Sequence, residues 1–538
     1  MKLSFQKQLP VLFIIKFSNY LQMVKKLKTV FLVMGFGLLL SLALSHLSIL
    51  MICVAVAPIF VFISKYSNQK SPVVGFFYGF GLGLGGFFWM IQGLNHYTGN
   101  GSFYGILVCL LSSIFVGIYF AVLSWFTKII WITENKSNSS LVLNKLCIAA
   151  IWAIFEFTTA FILQSFPLHS IRIGFPFVTN IYTIQLSSYG GLILLSFLTI
   201  LINLFVAEFY IQKKKFYLLY SFSILAFIFI VGALSFYTFK PSPVGKSFKI
   251  AVVSDNTNPE TKWNSENGNT FASNYFQLCK DAVALKPDFI IWPETALPWT
   301  YSPDDDLLKE IIRISSNHDL THVIGINNEN STDKKLYNSV FYINNQNKIT
   351  GIYNKQILLK GIEEPLGKFL VPFLSQEGFV LSKGKSQQPI NTRFGKAGNL
   401  ICNEVVGENA GAEQVRNGAN FLFNFSNDGW FKDNYISDLH FYYARLQAVE
   451  NRKDISIANN CGINAIINSN GSIISEKKDT TSTLVSGIIQ PNNNLSLFTK
   501  YPLFFPVLLI MYILIYLLTS KLKTKRNRQY HEFNPIFN

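Results

Sequence analysis

Three side chains stand where apolar runs end. The run 396–404, KAGNLICNE, carries Cys402 to its end, and Asn403 and Glu404 follow at once. The run 290–294, IIWPE, ends on Glu294. Lys355 closes the strand-like stretch 348–353 after Asn354. A cysteine in an apolar stretch is commonly a small hydrophobe. Glu, Lys and Cys delivered in that order by three strand ends make instead a nucleophile set. A free thiol ionises near pH ~8.5, so it needs a base or a cation beside it. A carboxylate can take the thiol proton and return it to a leaving group. An ammonium can hold the oxyanion of an acyl intermediate.

The elements that must position these groups form a rhythm. Strand-like runs at 248–253, 289–292, 322–326, 339–343, 400–402, 421–425 and 455–458 alternate with helical patterns at 271–285, 305–316 and 435–451. That rhythm predicts a layered α/β domain over 245–495, long enough for its own core. The rest of the chain reads differently. The protein has 538 residues, of which 50% are hydrophobic and 14% charged, and this points to membrane. Apolar runs lie at about 29–45, 47–64, 73–93, 104–127, 144–164, 184–207, 216–237 and 503–518. About eight transmembrane helices are therefore expected: seven over 29–240 and a last one over 502–520.

The net charge of +16 fits basic loops and anionic headgroups rather than nucleic acid, because the basic residues do not gather on an aromatic, groove-like segment. Residues 1–28 hold six lysines and no acid. Lysines recur in alternate loops, at Lys65 and Lys70, at Lys128, Lys136 and Lys145, and at Lys213–Lys215, and five cations follow the last run within 521–538. The positive-inside rule then puts both termini in the cytoplasm and 245–495 outside. Six cysteines are scattered with no CxxC, which argues against a zinc cluster or a disulfide framework. A cleaved signal peptide is rejected for the first run, since more spans follow directly.

A Glu-Lys-Cys set inside an α/β domain resembles the triad of the nitrilase superfamily. Placed between apolar spans, it resembles one branch of it, the bacterial apolipoprotein N-acyltransferases. The matching stretches are Trp292-Pro293-Glu294, Tyr353 with Lys355, Ile401-Cys402 with Glu404, the run 426–431 (SNDGWF), the helix carrying His440, Arg445 and Glu450, and Asn459-Asn460 with Gly462-Ile463. In the membrane half Trp152 with Glu156, Phe166-Pro167 and Gly174-Phe175 look similar too. The resemblance implies an α-β-β-α sandwich outside the cytoplasmic membrane. It implies Cys402 as nucleophile, Glu294 as general base and acid, and Lys355 as oxyanion cation. Glu363, or Glu364 in its place, is the second acid. Glu404 and Trp430 are supporting residues, Trp263 belongs to the lipid or acyl pocket, and the backbone N–H of Asn403 joins the oxyanion site. The chain departs from the family pattern at 356–364 (QILLKGIEE), where His-Leu-x-Pro and then Gly-Glu are usual, and at Asn403, where an aromatic is usual.

The implied reaction is ping-pong acyl transfer by a monomer, without metal or cofactor. A phospholipid is the acyl donor, the amine of a diacylglyceryl apolipoprotein is the acceptor, and a thioester lies between. A membrane-bound amidase and a non-catalytic lipoprotein-binding relative are the alternatives. The apolar run 367–374, with Phe369 and Phe373, reads as a lid or as a core strand, Pro372 favouring the lid. Glu156 within a span is either a functional group or a polar contact between helices.

Overall fold

The computed structural model describes residues 8–98, 102–131, 138–166, 171–258, 268–330, 334–365, 380–386, 388–431 and 436–533. Trp263, Phe369 and Phe373 lie outside these residues, as does the rest of the expected lid.

The N-terminal half is helical: α1 (Gln8–Ser45), α2 (Ile49–Ala55), α3 (Ala57–Lys65), α4 (Ser71–Gly86), α5 (Trp89–Thr98), α6 (Phe103–Ile130), α7 (Asn138–Ile162), α8 (Leu192–Gln212) and α9 (Phe216–Thr238). Among the described residues, five helices are long and apolar enough to cross a membrane: Leu27–Ser45 within α1, α6, Ser139–Ile162 within α7, α8 and α9. The pair α4 and Trp89–Asn95, bent by 45°, makes a sixth. Five to six spans therefore stand where eight were expected. The remaining two expected runs are the apolar helix Ile49–Lys65 and the apolar stretch Phe504–Ser520 at the start of the helix Phe504–Phe533.

The apolar helix 49–65 is also interrupted. The helix breaks at Val56, where the Asn203 carboxamide oxygen accepts from the N–H groups of Val56 and Ala57 at 3.0 and 2.9 Å. Its NH₂ donates to the Ile52 carbonyl at 2.9 Å. A side chain from α8 thus replaces the helical ladder at the break. The expected run 184–207 begins its helix late, at Leu192, after Gly191 with φ +72°. On α4, Gly75, Gly79 and Gly83 let α6 approach closely. A Cβ at Gly79 would lie 2.4 Å from the Val116 carbonyl oxygen.

The C-terminal half holds β1 (Phe248–Ser254), α10 (Gly268–Ala284), β2 (Phe289–Ile291), β3 (Leu297–Thr300), α11 (Asp306–Ser315), β4 (Thr321–Glu329), β5 (Leu336–Asn344), β6 (Ile349–Asn354), β7 (Ile390–Thr392), β8 (Gly395–Ile401), α12 (Ala410–Arg416), β9 (Phe421–Asn427), α13 (Ile436–Asn451), β10 (Ile455–Asn460), β11 (Ile463–Ile467), β12 (Ile473–Lys478) and β13 (Thr483–Ile489). Among the described residues one sheet runs β13-β1-β2-β4-β5-β6 with β3 on β4, and the other runs β12-β11-β10-β9-β8-β7. Between the sheets lies a layer of large apolar side chains, among them Phe248, Phe289, Phe421 and Phe423. Helices α10 and α11 cover the outer face of the first sheet. Helices α12 and α13 cover the second, and their apolar contacts continue into the membrane half. This is an α-β-β-α sandwich whose second helical layer is shared with the spans.

Helix α13 fastens the two halves. Arg445 donates to the Thr179 carbonyl at 2.8 Å, and Glu450 accepts from the Leu192 N–H at 3.0 Å. Just past the helix, Arg452 donates to Gln185, Ser188 and Ser235 at 2.7, 3.0 and 3.1 Å. A buried guanidinium satisfied by neutral acceptors in this way resists separation, because undocking would strip its partners.

Candidate active site

Strand direction brings the first two groups together. β2 is parallel to β4, β4 antiparallel to β5, and β5 antiparallel to β6, so β2 and β6 end on the same edge. Glu294 follows β2, and Lys355 follows β6 with its N–H on the Asn338 carbonyl at 2.9 Å. The turn carrying Glu294 presses onto β4 at Gly325. A Cβ there would lie 2.3 Å from the Pro293 carbonyl oxygen and 2.8 Å from the Glu294 Cα. Only glycine leaves that room.

Cys402 comes from the facing sheet. It sits just past β8 in a left-handed conformation, φ +53°, at the head of the short helical turn Cys402–Val406. A non-glycine residue held there costs roughly 1–3 kcal/mol and persists because its surroundings over-determine it. Glu404 is a main cause. One carboxylate oxygen accepts from the N–H of Gln356 and Ile357 at 2.6 and 3.2 Å, and the other from the Ile401 N–H at 2.8 Å. The Tyr353 hydroxyl donates to both, at 3.1 and 3.0 Å. One buried acid therefore ties the loop after Lys355 to the turn of Cys402. Through these bonds Glu404 braces the turn that carries Cys402. Burial pushes its carboxyl up to about 7, against the pull of the Ile401, Gln356 and Ile357 N–H groups.

The four polar groups meet in a buried cluster. Lys355 Nζ lies 2.8 Å from Glu363 Oε1 and 3.7 Å from Glu294 Oε1. Glu294 also accepts from Asn338 Nδ2 at 2.7 Å, and the Cys402 thiol faces the same carboxylate. Glu363 takes a further bond from the Leu359 N–H at 2.9 Å, while Glu364 pairs outward with Lys360 at 2.7 Å. Of the two acids left open by the sequence, the structure brings Glu363 to the lysine.

Charges follow from this geometry. Burial pushes Lys355 down, but Glu363, Cys402 and Glu294 outweigh it and hold the ammonium above its ordinary range. Burial raises Glu294, with Glu363 adding to the effect and Lys355, Asn338 and Cys402 opposing it. Burial raises the Cys402 thiol well above its usual value, Glu294 adding and Lys355 opposing. The resting site is thus a neutral thiol facing a carboxylate of raised proton affinity, beside a fixed cation. Proton transfer from sulfur to Glu294 needs no change of partner, and the ammonium is placed for a developing oxyanion.

Asn403 and Trp430 stand otherwise. The Asn403 side chain is buried, and neither its oxygen nor its nitrogen has a partner among the described residues. Trp430 lies in the turn Asp428–Phe431, outside the regular strands, and its side chain is not among those described.

Sequence reasoning missed two contributors. Asn338 orients Glu294 from the middle of a sheet, and no motif marks it. Asp428 and His440 form a buried pair at 2.7 Å, with Asn459 Nδ2 on the other Asp428 oxygen at 2.6 Å. Burial would raise Asp428, but His440, Asn459 and Ser437 hold it below the usual carboxylate range. Burial pulls the imidazole down, and Asp428 outweighs that and raises it. The pair was quoted within matching stretches but carried no role.

Residues 250–494 match the carbon-nitrogen hydrolase family, and residues 36–205 match the apolipoprotein N-acyltransferase N-terminal domain. Among curated relatives, an apolipoprotein N-acyltransferase of Wigglesworthia glossinidia brevipalpis is 26% identical over 76% of this chain and 80% of its own length. One of Geobacter metallireducens is 24% identical over 83% and 86%, and one of Shewanella oneidensis 25% over 76% and 80%.

Proposed function

Because the chain belongs to the apolipoprotein N-acyltransferase family of the nitrilase superfamily and is a membrane-bound N-acyltransferase, we propose that it works through a thioester on Cys402. The Cys402 thiol gives its proton to Glu294, and sulfur attacks the ester carbonyl of a membrane phospholipid. Lys355 and the Asn403 N–H hold the oxyanion. As the C–O bond breaks, Glu294 returns the proton to the departing lysophospholipid. The N-terminal amine of a diacylglyceryl apolipoprotein then attacks the thioester, gives a proton to Glu294, and forms the amide. Sulfur leaves and recovers the proton as thiol. Glu363 keeps Lys355 charged and in place. The reaction is a transfer at constant oxidation state, so it calls for no cofactor.

The observation that carries this reading is the joint between the cluster and the spans. Val406, four residues past Cys402, lines a mainly apolar cavity whose other walls include Phe115, Tyr119, Leu163, Phe166 and Ile173 of the membrane half, with the Glu156–Arg172 pair among them. An acyl chain held against such apolar walls would stay out of water, where each buried CH₂ is worth about 0.8 kcal/mol. A soluble amide would have no use for such a wall. The alternating lysine loops support an extracytoplasmic catalytic half with both termini inside, the face on which processed lipoproteins would meet it.

The test is mass spectrometry of the enzyme incubated with phospholipid and no acceptor. An acyl adduct on Cys402, discharged by a diacylglyceryl peptide, is expected. Cys402→Ala should give neither adduct nor product, and Cys402→Ser next to none, since a hydroxyl is far harder to ionise. An adduct on Cys279 or Cys461, or full turnover by Cys402→Ala, refutes the scheme.

A further inference from the structure

We propose that the buried chain of charges Glu156–Arg172–Glu408 is the device by which the membrane half sets the position of the nucleophile turn, making Arg172 and Glu408 positioning residues for Cys402. The proposal rests on the reading of Cys402 as nucleophile given above.

Arg172 follows α7 and is buried. Its Nε donates to Glu156 Oε1 at 2.9 Å, and its Nη1 donates to Glu408 Oε1. Glu156, within the span α7, also accepts from the Ile173 N–H at 2.9 Å and from the Ser196 hydroxyl of α8. Gly174 in turn donates to the Ser196 oxygen at 3.1 Å. Two spans and the loop between them therefore fix the guanidinium. Glu408 lies six residues past Cys402, and the chain between is held at two points. The Gly407 N–H donates to the Glu404 carbonyl at 3.1 Å, and Gln447 of α13 donates to the Val405 carbonyl at 3.0 Å. A strained left-handed Cys402 needs such restraint from both sides. Glu404 supplies it upstream, and Arg172 supplies it downstream.

Docking alone does not require this bond, because Arg445, Glu450 and Arg452 already join the halves elsewhere. The charge count also picks out the clean perturbation. One guanidinium pairs with two carboxylates, and the buried Glu450 lies near enough to feel both Arg172 and Glu408. Removing Glu408 leaves a neutral Glu156–Arg172 pair in the membrane half and frees only the nucleophile loop. Removing Arg172 would strand two buried carboxylates, which is far more disruptive.

The test uses full-length Glu408→Gln enzyme in detergent with palmitoyl-oleoyl phosphatidylethanolamine as donor. Cys402 acylation should fall about 10- to 100-fold in kcat, the scale of a small misplacement of reacting atoms. The pH dependence should stay put, because Glu294 and Lys355 are untouched, and KM should change far less than kcat, because the apolar walls of the cavity that Arg172 and Glu156 also border are kept. Alkylation of Cys402 by iodoacetamide should slow as well, and Glu408→Asp should recover part of both rates. Glu156→Gln, which frees Arg172 from its span while leaving the Arg172–Glu408 pair neutral, should repeat the kcat loss and serves if the first variant folds poorly. A lower melting temperature with kcat and alkylation unchanged would make the bridge mere scaffolding and overturn the proposal. A rise in KM alone would make it a lipid contact and overturn it equally. Wild-type enzyme that alkylates at Cys402 but never takes an acyl group would instead sink the acyl-transfer reading.

Discussion

Lys355→Met removes the cation that lies 2.8 Å from Glu363 and 3.7 Å from Glu294. Two consequences follow, and they fall on different parts of a pH profile. The Lys355 ammonium, 3.7 Å away, holds down the proton affinity of Glu294. Glu294 is already raised by burial and by Glu363. Without Lys355 it should hold its proton to still higher pH, so the rising limb of the acylation profile should move up. At a fixed pH below that limb the rate should fall. On the plateau above it, where the base is again free, the lost oxyanion contact should cost a further ~100-fold. The assay is single-turnover acylation of Cys402 from phospholipid, quenched and read by intact mass across the pH range. Lys355→Met combined with Glu363→Gln should bring the limb part of the way back, because the second carboxylate no longer repels the first. A limb that stays at its wild-type position while the plateau drops would refute the electrostatic coupling.

Glu404 carries a pH dependence of the opposite kind. Its carboxyl is pushed from 4.5 to about 7 on folding, so the folded state binds its proton more tightly. That stability is fully present below pH 4.5 and is lost as pH rises to about 7, a change of about 3 kcal/mol. Glu404→Gln should flatten this slope in thermal unfolding of the detergent-solubilised protein, and should unfold more easily in acid because its NH₂ would face the donors of Ile401, Gln356 and Ile357; an unchanged slope would exclude Glu404 as its source. Reporter fusions after residue 240 should read extracytoplasmic, and fusions at the C-terminus cytoplasmic. A cytoplasmic reading for the catalytic half would contradict the lysine-loop argument.

The legible part of this chain is what local periodicity encodes. The strand expected at 421–425 is found as β9, Phe421–Asn427, and the helix expected at 435–451 as Ile436–Asn451. Glu294, Lys355 and Cys402 were visible because each stands at or within two residues of the end of a strand-like run, where a strand must end. β12 was not visible, since Ile473–Lys478 is mostly exposed and polar. The break at Val56 was not visible, because it is made by Asn203, 147 residues away. Arg172 was silent for the same reason, with Glu408 236 positions further on. Gly325 gave no sign either, although its missing Cβ is what admits the Glu294 turn.

The site therefore depends on how the two sheets face each other more than on any one motif. Glu294, Lys355 and Asn338 belong to one sheet and Cys402 to the other, so a slide of a single residue would part the thiol from its base. Two tyrosines cross the gap and oppose such a slide. Tyr342 of β5 donates to Asn399 of β8 at 2.6 Å, and Tyr353 of β6 reaches Glu404 just past β8. Both hydroxyls are buried, so a slipped register would leave them and their acceptors unpaired at a cost of roughly 1–3 kcal/mol each. Packing between Phe248, Phe289, Phe421 and Phe423 fixes how far apart the sheets lie. The tyrosines fix where along their length they meet. The resulting packing places a sulfur against a carboxylate in a buried site, with the second sheet's outer helices resting on the membrane half that borders the cavity lined by Val406.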